Sequence, residues 1–222
     1  MQPLNAKSSD RVFIVGASES GKTTLARILT KHLRRVVWFD PQADRNLPRT
    51  YVSLTKVKAY LGSRWGKPLQ CTYIPAPNNP TKAFSGLAEL LFAYQAPYER
   101  GEPQEVLTLV IDEAHRAYPS TSPPADVANA TKLVTSGRHW GIAQYWITQR
   151  PTKVHPDVRD NAKESYFFRM QTYKGSRDIA AGFPPDVARA YMELPPLHFV
   201  HQKLNYYRLG RIVDFKRVEW LT

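Results

Sequence analysis

The residue types best suited to chemistry are concentrated in one short stretch, residues 16–23, with the sequence GASESGKT. Its two glycines can adopt backbone angles that other residues avoid, so successive backbone N–H groups can curl around an anion. Lys22 is then placed to reach the β- and γ-phosphates of a nucleotide, and the Thr23 hydroxyl is placed to bind Mg²⁺. The spacing predicts a loop that binds a nucleoside triphosphate. The residues expected to contact the nucleotide are Gly16, Ala17, Ser18, Glu19, Ser20, Gly21, Lys22, Thr23 and Thr24.

A second pair of candidate functional residues, Asp112 and Glu113, follows the run 106–111. Nearly every residue of that run is apolar, as in a central parallel strand that is covered on both faces. Two adjacent acids at its end are costly to bury unless they have a role. We interpret them as the end of a Walker B strand, in which Asp112 holds Mg²⁺ through its water shell and Glu113 orients and deprotonates the attacking water. The pair predicts hydrolysis, and the alternative is an ordinary strand end.

The phosphate-binding loop requires a strand before it and a helix after it. Residues 11–15 form a β-branched and aromatic run that predicts a buried strand, and apolar positions recur at helical spacing over residues 24–33. The N-terminus of that helix would direct the positive end of its dipole at the bound phosphates. This context supports the assignment of the loop.

A second strand is predicted for residues 34–40, and it ends in an acid. Asp40 and Asp44 therefore lie at the carboxyl end of a strand, where open α/β sheets place their ligands. A role near the nucleotide or a neighbouring subunit and a purely local role in a turn both remain open.

The predicted strand 142–148 carries a candidate residue at each end. Gln149 follows the strand and is placed to sense the γ-phosphate. Arg138 precedes it, and would lie far from its own loop if the strand spans the sheet. We expect Arg138 to reach the nucleotide of an adjacent subunit and to stabilise the transition state there. The alternative is a cation at a helix C-terminus, and Arg150 and Arg159 are rival candidates for the same role.

A segment without acids, residues 45–88, contains seven basic residues with aromatic residues between them. This composition favours a nucleic-acid groove, in which the cations hold the backbone and the rings stack. The alternative is a solvated basic face with the aromatic residues in the core. The candidate DNA contacts are Lys56, Lys58, Arg64 and Lys67; the interleaved aromatic residues are Tyr51, Tyr60, Trp65 and Tyr73.

The whole chain is strongly basic, with 31 Lys and Arg against 19 Asp and Glu and a formal net charge of +12. This excess favours a polyanionic partner over charge that serves solubility alone. Its 222 residues suit one α/β domain, with residues 1–10 as a flexible arm. The single cysteine, Cys71, excludes an internal disulfide and is typical of a reducing cytoplasm. No apolar run suggests a membrane span or a signal peptide.

The remaining predicted elements follow from periodicity and from turn residues. They are a strand over 51–58, a loop over 62–67, a strand over 69–74, a helix over 81–95, a linker over 96–104, a helix over 126–136, a turn over 137–141, a strand over 165–171, a helix over 185–192, and a terminal hairpin of strands 198–202 and 205–212.

Taken together, the motifs resemble those of the HerA/FtsK superfamily, in particular the genome-packaging ATPases of tailless icosahedral viruses that contain a membrane. GRHWGI with TQRP is the discriminating part, because the first two Walker motifs are common to P-loop ATPases. The motifs that carry the resemblance are GASESGKT (16–23), VWFDP (37–41), LVIDEAH (109–115), GRHWGI (137–142) and TQRP (148–151), with weaker support from VRDNAKESYFFR (158–169) and LPPLHFV (194–200).

The resemblance implies a RecA-like P-loop NTPase fold of the ASCE type, with a mainly parallel sheet flanked by helices and a C-terminal β-hairpin. It also implies ATP and Mg²⁺ as cofactors, and a homo-oligomeric ring, a hexamer, around double-stranded DNA. The arginine of the family falls on Arg138 and its polar sensor on Gln149. A packaging ATPase is further expected to dock on a capsid vertex or portal-like protein, in the host cytoplasm during assembly, with retention at a virion vertex.

Other functions share some of these features. A cellular or plasmid DNA-pumping ATPase of the same superfamily has the same motifs. A small-molecule kinase shares the phosphate-binding loop, but usually has an arginine-rich lid and no Asp-Glu pair at the end of a central strand. A scaffold that binds nucleotide without hydrolysis conflicts with Glu113. DNA-stimulated ATP hydrolysis would separate the motor from the kinase and the scaffold.

Overall fold

The computed structural model describes residues 7–43, 49–121 and 124–221. Asp44, and residues 1–6 of the expected N-terminal arm, lie outside these ranges. Residues 7–10 form a turn in which the backbone N–H of Lys7 donates to Asp10 Oδ2 at 3.0 Å. No helix in the described ranges has both the length and the apolar character that crossing a membrane requires.

The described strands form one sheet in the order β10-β9-β8-β7-β1-β6-β5-β2-β4-β3. The segment from β7 to β3 is parallel throughout, and β8, β9 and β10 extend it as an antiparallel meander. The strands are β1 Arg11–Val15, β2 Arg35–Phe39, β3 Thr50–Tyr51, β4 Leu69–Tyr73, β5 Leu107–Ile111, β6 Ile142–Thr148, β7 Glu164–Phe168, β8 His198–Lys203, β9 Tyr206–Val213 and β10 Arg217–Trp220.

Helices cover both faces of the parallel part of the sheet. Successive residues of a strand face opposite sides, so Phe13 and Val15 of β1 join the core beneath α2, α3 and α5, whereas Val12 and Ile14 join the core beneath α1. The α-helices are α1 Lys22–Thr30, α2 Leu54–Ser63, α3 Pro80–Glu99, α4 Ala114–Ala117, α5 Pro124–Ser136, α6 Pro156–Asp160, α7 Tyr173–Ala180 and α8 Pro185–Met192, with 3₁₀ turns at Gly137–Trp140 and Pro151–Lys153. The predicted α/β fold with a mainly parallel sheet is confirmed.

The predicted strand over residues 51–58 is wrong beyond its start. The strand β3 is Thr50–Tyr51, and the helix α2 begins at Leu54. Val57 and Leu61 are fully buried and lie four residues apart, on the same face of a helix. Burial of this helical face therefore prevails over the apparent alternation of the sequence.

The helix predicted over residues 81–95 is longer than expected. The Asn79 side chain accepts a hydrogen bond from the backbone N–H of Lys82, and the helix continues to Glu99 through Pro97. The predicted linker from residue 96 thus begins only at residue 100. Tyr94 and Gln95 are buried in the last turns of the helix, and this packing tolerates one missing backbone N–H near its end.

The C-terminal region contains two elements that the sequence did not indicate. The helix α7 buries only the small residues Ser176 and Ala180, so no apolar stripe marks it. The strand β10 pairs with β9 and turns the predicted hairpin into a three-stranded meander. By contrast, β6 and α8 have the predicted bounds.

The parallel strands begin at one edge of the sheet, which we call the amino edge, and end at the opposite one, the carboxyl edge. The phosphate-binding loop follows β1, and Asp40, Asp112 and Gln149 follow β2, β5 and β6. All of them therefore meet at the carboxyl edge, whereas Arg138 lies ahead of β6 at the amino edge.

Candidate functional site

The loop 16–23 is anchored to the strands on both sides of β1. The backbone N–H of Gly16 donates to Thr148 O at 3.3 Å, and that of Ala17 donates to Arg169 O at 2.9 Å. A Cβ on Gly16 would lie 2.5 Å from Phe168 Cβ, so no other residue fits there without a shift. Gly21 has φ 104° at the start of α1, a conformation that favours glycine. The two predicted glycine positions are thus explained by a close approach and by a left-handed turn.

The Lys22 side chain is buried within this loop. Its Nζ donates a hydrogen bond to the carbonyl oxygen of Ala17, so the ammonium group points into the loop. Burial lowers the pKa of Lys22, and the nearby carboxylates Asp112 and Glu113 oppose that shift. Burial thus removes water from the Lys22 ammonium group, and the phosphates of a bound nucleotide would replace that lost solvation.

Three carboxylates gather beside Lys22 at the carboxyl edge. Burial, and then the neighbours Asp40 and Glu113, raise the pKa of Asp112 to about 6. The Thr23 hydroxyl donates to Asp112 Oδ2 at 3.1 Å, which joins the two predicted metal ligands. A hydroxyl, a carboxylate and excess negative charge fit Mg²⁺, which usually takes one or two protein ligands together with phosphate oxygens and water.

Asp40 forms the local turn that was one of the two expected roles, and it also lies close to Asp112. Its Oδ1 accepts a hydrogen bond from the backbone N–H of Gln42 at 2.8 Å, as in a local turn. The carboxylate is also fully buried and close enough to Asp112 to raise its pKa. Asp40 therefore contributes to the negative charge that surrounds the metal ligands.

Glu113 is buried and forms the start of α4 in a left-handed conformation, with φ 52°. Its backbone N–H donates to Asp112 Oδ1 at 2.9 Å. Its Oε1 accepts a hydrogen bond from Gln149 Nε2 at 2.9 Å, although the two residues lie 36 positions apart in the chain. The structure thus brings the predicted base and the predicted sensor into direct contact.

A further side chain, His115, belongs to the same cluster and was given no role by sequence reasoning. Its Nδ1 lies 3.0 Å from Glu113 Oε2 and 3.3 Å from Thr148 Oγ1. His115 belongs to the LVIDEAH motif. Its position two residues after Glu113 does not by itself predict a contact with Thr148, which lies at the end of the neighbouring strand β6.

Arg138 lies at the opposite edge of the sheet from this cluster. The seven residues of β6 separate the two sites, a span of about 20 Å at the usual rise per residue. The Arg138 side chain is exposed, its Nε donates to His139 Nε2 at 3.2 Å, and it pairs with no carboxylate in the described part of the chain. This placement agrees with the expectation that Arg138 lies far from its own loop.

The turn that carries Arg138 is held from behind by Gln95. The buried Gln95 amide donates through Nε2 to Trp140 O at 3.3 Å and to Gly141 O at 3.2 Å. The turn is also packed tightly, because a Cβ on Gly141 would lie 2.6 Å from the ring of Tyr98. The backbone of the turn that carries Arg138 is therefore fixed by packing and hydrogen bonds.

The rival arginines lie elsewhere. Arg150 follows Gln149 at the carboxyl edge, beside its own phosphate-binding loop. Arg159 lies in α6, and both line a cavity of about 440 Å³ next to Gln149. Arg159 precedes Asn161, whose Oδ1 accepts from Arg11 Nη1 at the start of β1, so the end of α6 lies near the amino edge.

The predicted DNA-contact residues form an exposed basic surface on and after α2. Lys56, Lys58 and Lys67 are exposed and Arg64 is half-buried, and none of them pairs with a carboxylate of a described residue. The aromatic residues behave differently: Tyr73 is buried, and Tyr51 and Tyr60 pack against the core, as in the alternative interpretation.

Trp65 is the exception among these aromatic residues. It is half exposed at the amino-edge loop after α2, where its ring packs edge to face on Tyr94, with centroids 5.0 Å apart. It is thus the aromatic residue of the four that a nucleic acid can reach.

A cavity of about 290 Å³ adjoins the phosphate-binding loop. It lies on the side of β7 and β8, whereas Asp112 and Glu113 lie on the side of β6 and β5. The cavity is lined by residues 17–20, 168–171 and 194–198, and so includes the LPPL turn of the LPPLHFV motif.

No protein-family model matches the chain, and no curated protein matches it. Solved structures do match. The genome packaging NTPase B204 from Sulfolobus turreted icosahedral virus 2, in complex with AMPPCP, superposes with a TM-score of 0.71 and 19% identity over 93% of this chain and 100% of B204. VirB4 of Thermoanaerobacter pseudethanolicus superposes with a TM-score of 0.61 and 10% identity, over 92% of this chain and 89% of VirB4. EssC (ATPases 2 and 3) from Geobacillus thermodenitrificans superposes with a TM-score of 0.58 and 12% identity, over 90% of this chain and 38% of the EssC chain.

These likenesses confirm, at the level of the fold, the predicted resemblance to genome-packaging and related P-loop ATPases. The shared architecture extends over 93% of the chain. The chain has the fold of a P-loop NTPase.

Proposed function

We propose that this protein is an ATP-driven motor that moves double-stranded DNA and packages a viral genome into a preformed capsid. The observation that carries the proposal is the meeting of Lys22, the Thr23–Asp112 pair and the Gln149–Glu113 pair at one edge of the sheet. These are the groups that phosphate binding, metal binding and water activation require.

Each residue has a part in hydrolysis. The backbone N–H groups of the loop and the Lys22 ammonium bind the β- and γ-phosphates. Thr23 and Asp112 would hold Mg²⁺, which supplies positive charge to the phosphate oxygens when bound. Glu113 takes a proton from the attacking water, and Gln149 contacts the γ-phosphate through its amide.

The base and ribose of ATP are assigned to the cavity beside the loop. Phosphates that point towards Asp112 and Glu113 leave the rest of the nucleotide on the side of β7 and β8. The cavity of about 290 Å³ lies on that side, and is of a size suited to part of a nucleotide.

Arg138 is proposed to act on the ATP of an adjacent copy. It is exposed, lies at the amino edge and has no carboxylate partner in the described ranges, so it cannot serve the nucleotide bound about 20 Å away at the carboxyl edge. An arginine contributed by a neighbour stabilises the charge that develops in phosphoryl transfer. The active form is then a homo-oligomeric ring, which we propose to be a hexamer.

DNA is proposed as the substrate that the ring moves. The net charge of +12 and the lysines of α2, which pair with no carboxylate among the residues that the structure describes, support a polyanionic partner. The fold is shared with B204, which is a genome packaging NTPase. Packaging further calls for a capsid vertex or portal-like partner and for work in the host cytoplasm; a cellular or plasmid DNA pump of the same fold is the alternative.

The decisive experiment measures ATP hydrolysis with and without duplex DNA, together with the size of the particle. We expect DNA to stimulate hydrolysis, and a non-hydrolysable ATP analogue with DNA to shift the protein to a ring in light scattering. Glu113→Gln should reduce kcat by about 10²–10⁴-fold, as expected when a general base is lost. Glu89→Gln, at an exposed position of α3, is the matched control and should retain activity.

Two outcomes would contradict the proposal. A monomer that hydrolyses ATP at full rate and ignores DNA would exclude the motor. Transfer of phosphate to a small-molecule acceptor, instead of its release, would identify a kinase.

A further inference from the structure

Two side chains next to the proposed base have no part in the mechanism above. Thr148 is fully buried at the end of β6, and its Oγ1 accepts a hydrogen bond from the backbone N–H of Arg150 at 2.9 Å. The carbonyl oxygen of Thr148 also accepts from Gly16 N at 3.3 Å. Thr148 is therefore fixed from both sides, and its hydroxyl lies 3.3 Å from His115 Nδ1.

His115 is placed between this fixed hydroxyl and Glu113. It lies in α4, two residues after Glu113, and its side chain is only 13% exposed. With Glu113 ionised, an unprotonated ring nitrogen 3.0 Å from Oε2 would be repelled by the carboxylate charge, whereas an N–H group at the same place is attracted to it. The geometry thus favours the tautomer of His115 that is protonated on Nδ1.

The two oxygens of Glu113 are held unequally. Oε1 receives the amide of Gln149 at 2.9 Å. Oε2 is buried and receives no hydrogen bond from the described residues, because His115 Nδ1 is near enough but not aligned. A buried carboxylate oxygen without a donor is unfavourable. A small rotation of the Glu113 carboxylate towards His115 would remove that cost.

We propose that His115, whose Nδ1 faces the Thr148 hydroxyl in the state described here, is the positioning residue whose Nδ1–H turns to Glu113 when Gln149 turns to the γ-phosphate. The inference rests on the proposed function, because that function gives Gln149 two successive partners, first Glu113 and then the γ-phosphate. In the state described here the base is held by Gln149. Once ATP engages the amide of Gln149, the hydrogen bond to Oε1 is lost and Nδ1–H of His115 becomes the donor that orients the carboxylate towards water.

This change of hydrogen-bond donor, from Gln149 to His115, predicts a specific pattern of kinetic effects. His115→Phe keeps a ring of similar size but removes the donor, so kcat should fall about tenfold to hundredfold, as when a residue that orients a functional ligand is lost. KM for ATP should not change, because His115 does not touch the nucleotide. His115→Asn, which retains an N–H donor near Nδ1, should restore most of kcat. Thr148→Val should give a smaller loss.

The experiment combines kinetics with a measurement that does not depend on activity. Steady-state ATPase assays and binding of a fluorescent ATP analogue would be compared for His115→Phe, His115→Asn and the control His32→Phe, at an exposed position after α1. Thermal unfolding would confirm that each variant is folded. In parallel, ¹⁵N NMR of histidine-labelled protein, assigned with His115→Asn, would report which ring nitrogen of His115 is protonated.

The outcomes separate this inference from the proposed function. A wild-type kcat in His115→Phe, an equal loss in His115→Asn, or an Nε2–H tautomer in the nucleotide-free protein would overturn the role of His115, whatever the substrate of the motor. Hydrolysis with the expected His115 pattern but without DNA stimulation would leave the inference standing and reject the motor.

Discussion

Two carboxylates at opposite edges of the sheet show how differently those edges are built. Asp112, at the carboxyl edge, lies among Asp40 and Glu113, and burial together with these neighbours raises its pKa to about 6. Glu164, at the amino edge, lies 3.3 Å from His201 and 2.6 Å from Lys203, and these partners lower its pKa to about 2. The chain pairs Glu164 with His201 and Lys203, whereas it places Asp112 with two further carboxylates next to Lys22.

The contrast indicates where ligands are needed. Charge that the chain leaves uncompensated, at a cost to folding, is typical of functional sites. At the carboxyl edge the missing charge is positive, as Mg²⁺ would provide. At the amino edge the exposed Arg138 is the opposite case, a cation without a carboxylate partner in the described ranges. The negative charge at the carboxyl edge and the exposed Arg138 at the amino edge are thus complementary, but within one copy they lie at opposite edges of the sheet.

The largest effect that tests this comparison is expected for Arg138→Ala. Loss of an arginine contributed by a neighbour should reduce kcat by about a thousandfold or more, while binding of a fluorescent ATP analogue stays the same. Mixing the variant with wild-type protein should lower activity by more than dilution does, because sites that turn over in sequence around a ring stall at every site that lacks its arginine. Arg150→Ala and Arg159→Ala serve as matched variants, and a larger loss in either would transfer the role to that residue.

The second test compares the two carboxylates through the pH dependence of stability. The folded-state pKa of Asp112 is raised from 3.8 to about 6, so the folded protein binds more protons in that window, and its free energy of unfolding falls as pH rises through it. Asp112→Asn should therefore stabilise the nucleotide-free protein at pH 7, by about 2 kcal/mol. Chemical denaturation with and without Mg²⁺ would measure this change.

Glu164→Gln should have the opposite sign and a smaller size. The folded-state pKa of Glu164 is lowered from 4.5 to about 2, so its contribution is present above the unfolded value and is lost as pH falls through this window. Because the side chain is partly exposed, we expect a loss of about 1 kcal/mol at pH 7 that vanishes near pH 2. Equal signs for the two variants would remove the distinction between the edges.

A third test concerns the support behind Arg138. Gln95→Leu would remove the amide donor to the carbonyl groups of Glu105, Trp140 and Gly141. Glu105 O keeps the donor Arg35 Nη1 and Gly141 O keeps the backbone N–H of Leu107. Trp140 O is then left without a donor among the described residues, at a cost of about 1–3 kcal/mol in stability. The substitution should also lower kcat without affecting ATP binding, since the turn that carries Arg138 loosens. Gln104→Ala removes a neighbouring donor that does not contact the turn, and it should leave kcat unchanged.

The smallest effect is expected on the basic surface of α2. Lys56→Ala and Lys58→Ala should each reduce the salt dependence of DNA affinity by about one unit of slope, with little change in ATPase activity without DNA. Fluorescence anisotropy over a range of salt concentrations would measure this. Lys174→Ala, on the exposed face of α7, is the control; slopes that match the control would place DNA elsewhere.

The carboxyl edge could be predicted from the sequence because its parts are local. The phosphate-binding loop, the Asp112–Glu113 pair and β6 are each continuous stretches with strong patterns of residue type. Strand order then brings them together, since parallel strands end at one edge. The contact between Gln149 and Glu113 could be anticipated only as proximity, because its geometry depends on the left-handed backbone of Glu113.

Other features had no local signal. The helix α7 lacks an apolar stripe, and α2 begins where a short alternation favoured a strand. The position of His115 depends on Thr148, which is 33 residues away. The basic residues next to Tyr51 and Tyr60 in the sequence suggested that these rings could stack on nucleic-acid bases. Both rings pack inward instead, because their strand and helix face the core.

The separation of Arg138 from the phosphate-binding loop by the full length of β6 also limits the symmetry of any working assembly. A two-fold dimer meets this requirement only when its two copies lie antiparallel, so that the arginine of each reaches the ligand site of the other. A head-to-tail arrangement instead presents the arginine of one copy to the nucleotide of the next, and such contacts must close into a circle or continue as a filament. In the first assembly the sites depend on each other in reciprocal pairs, whereas in the second each site depends on one neighbour and serves another.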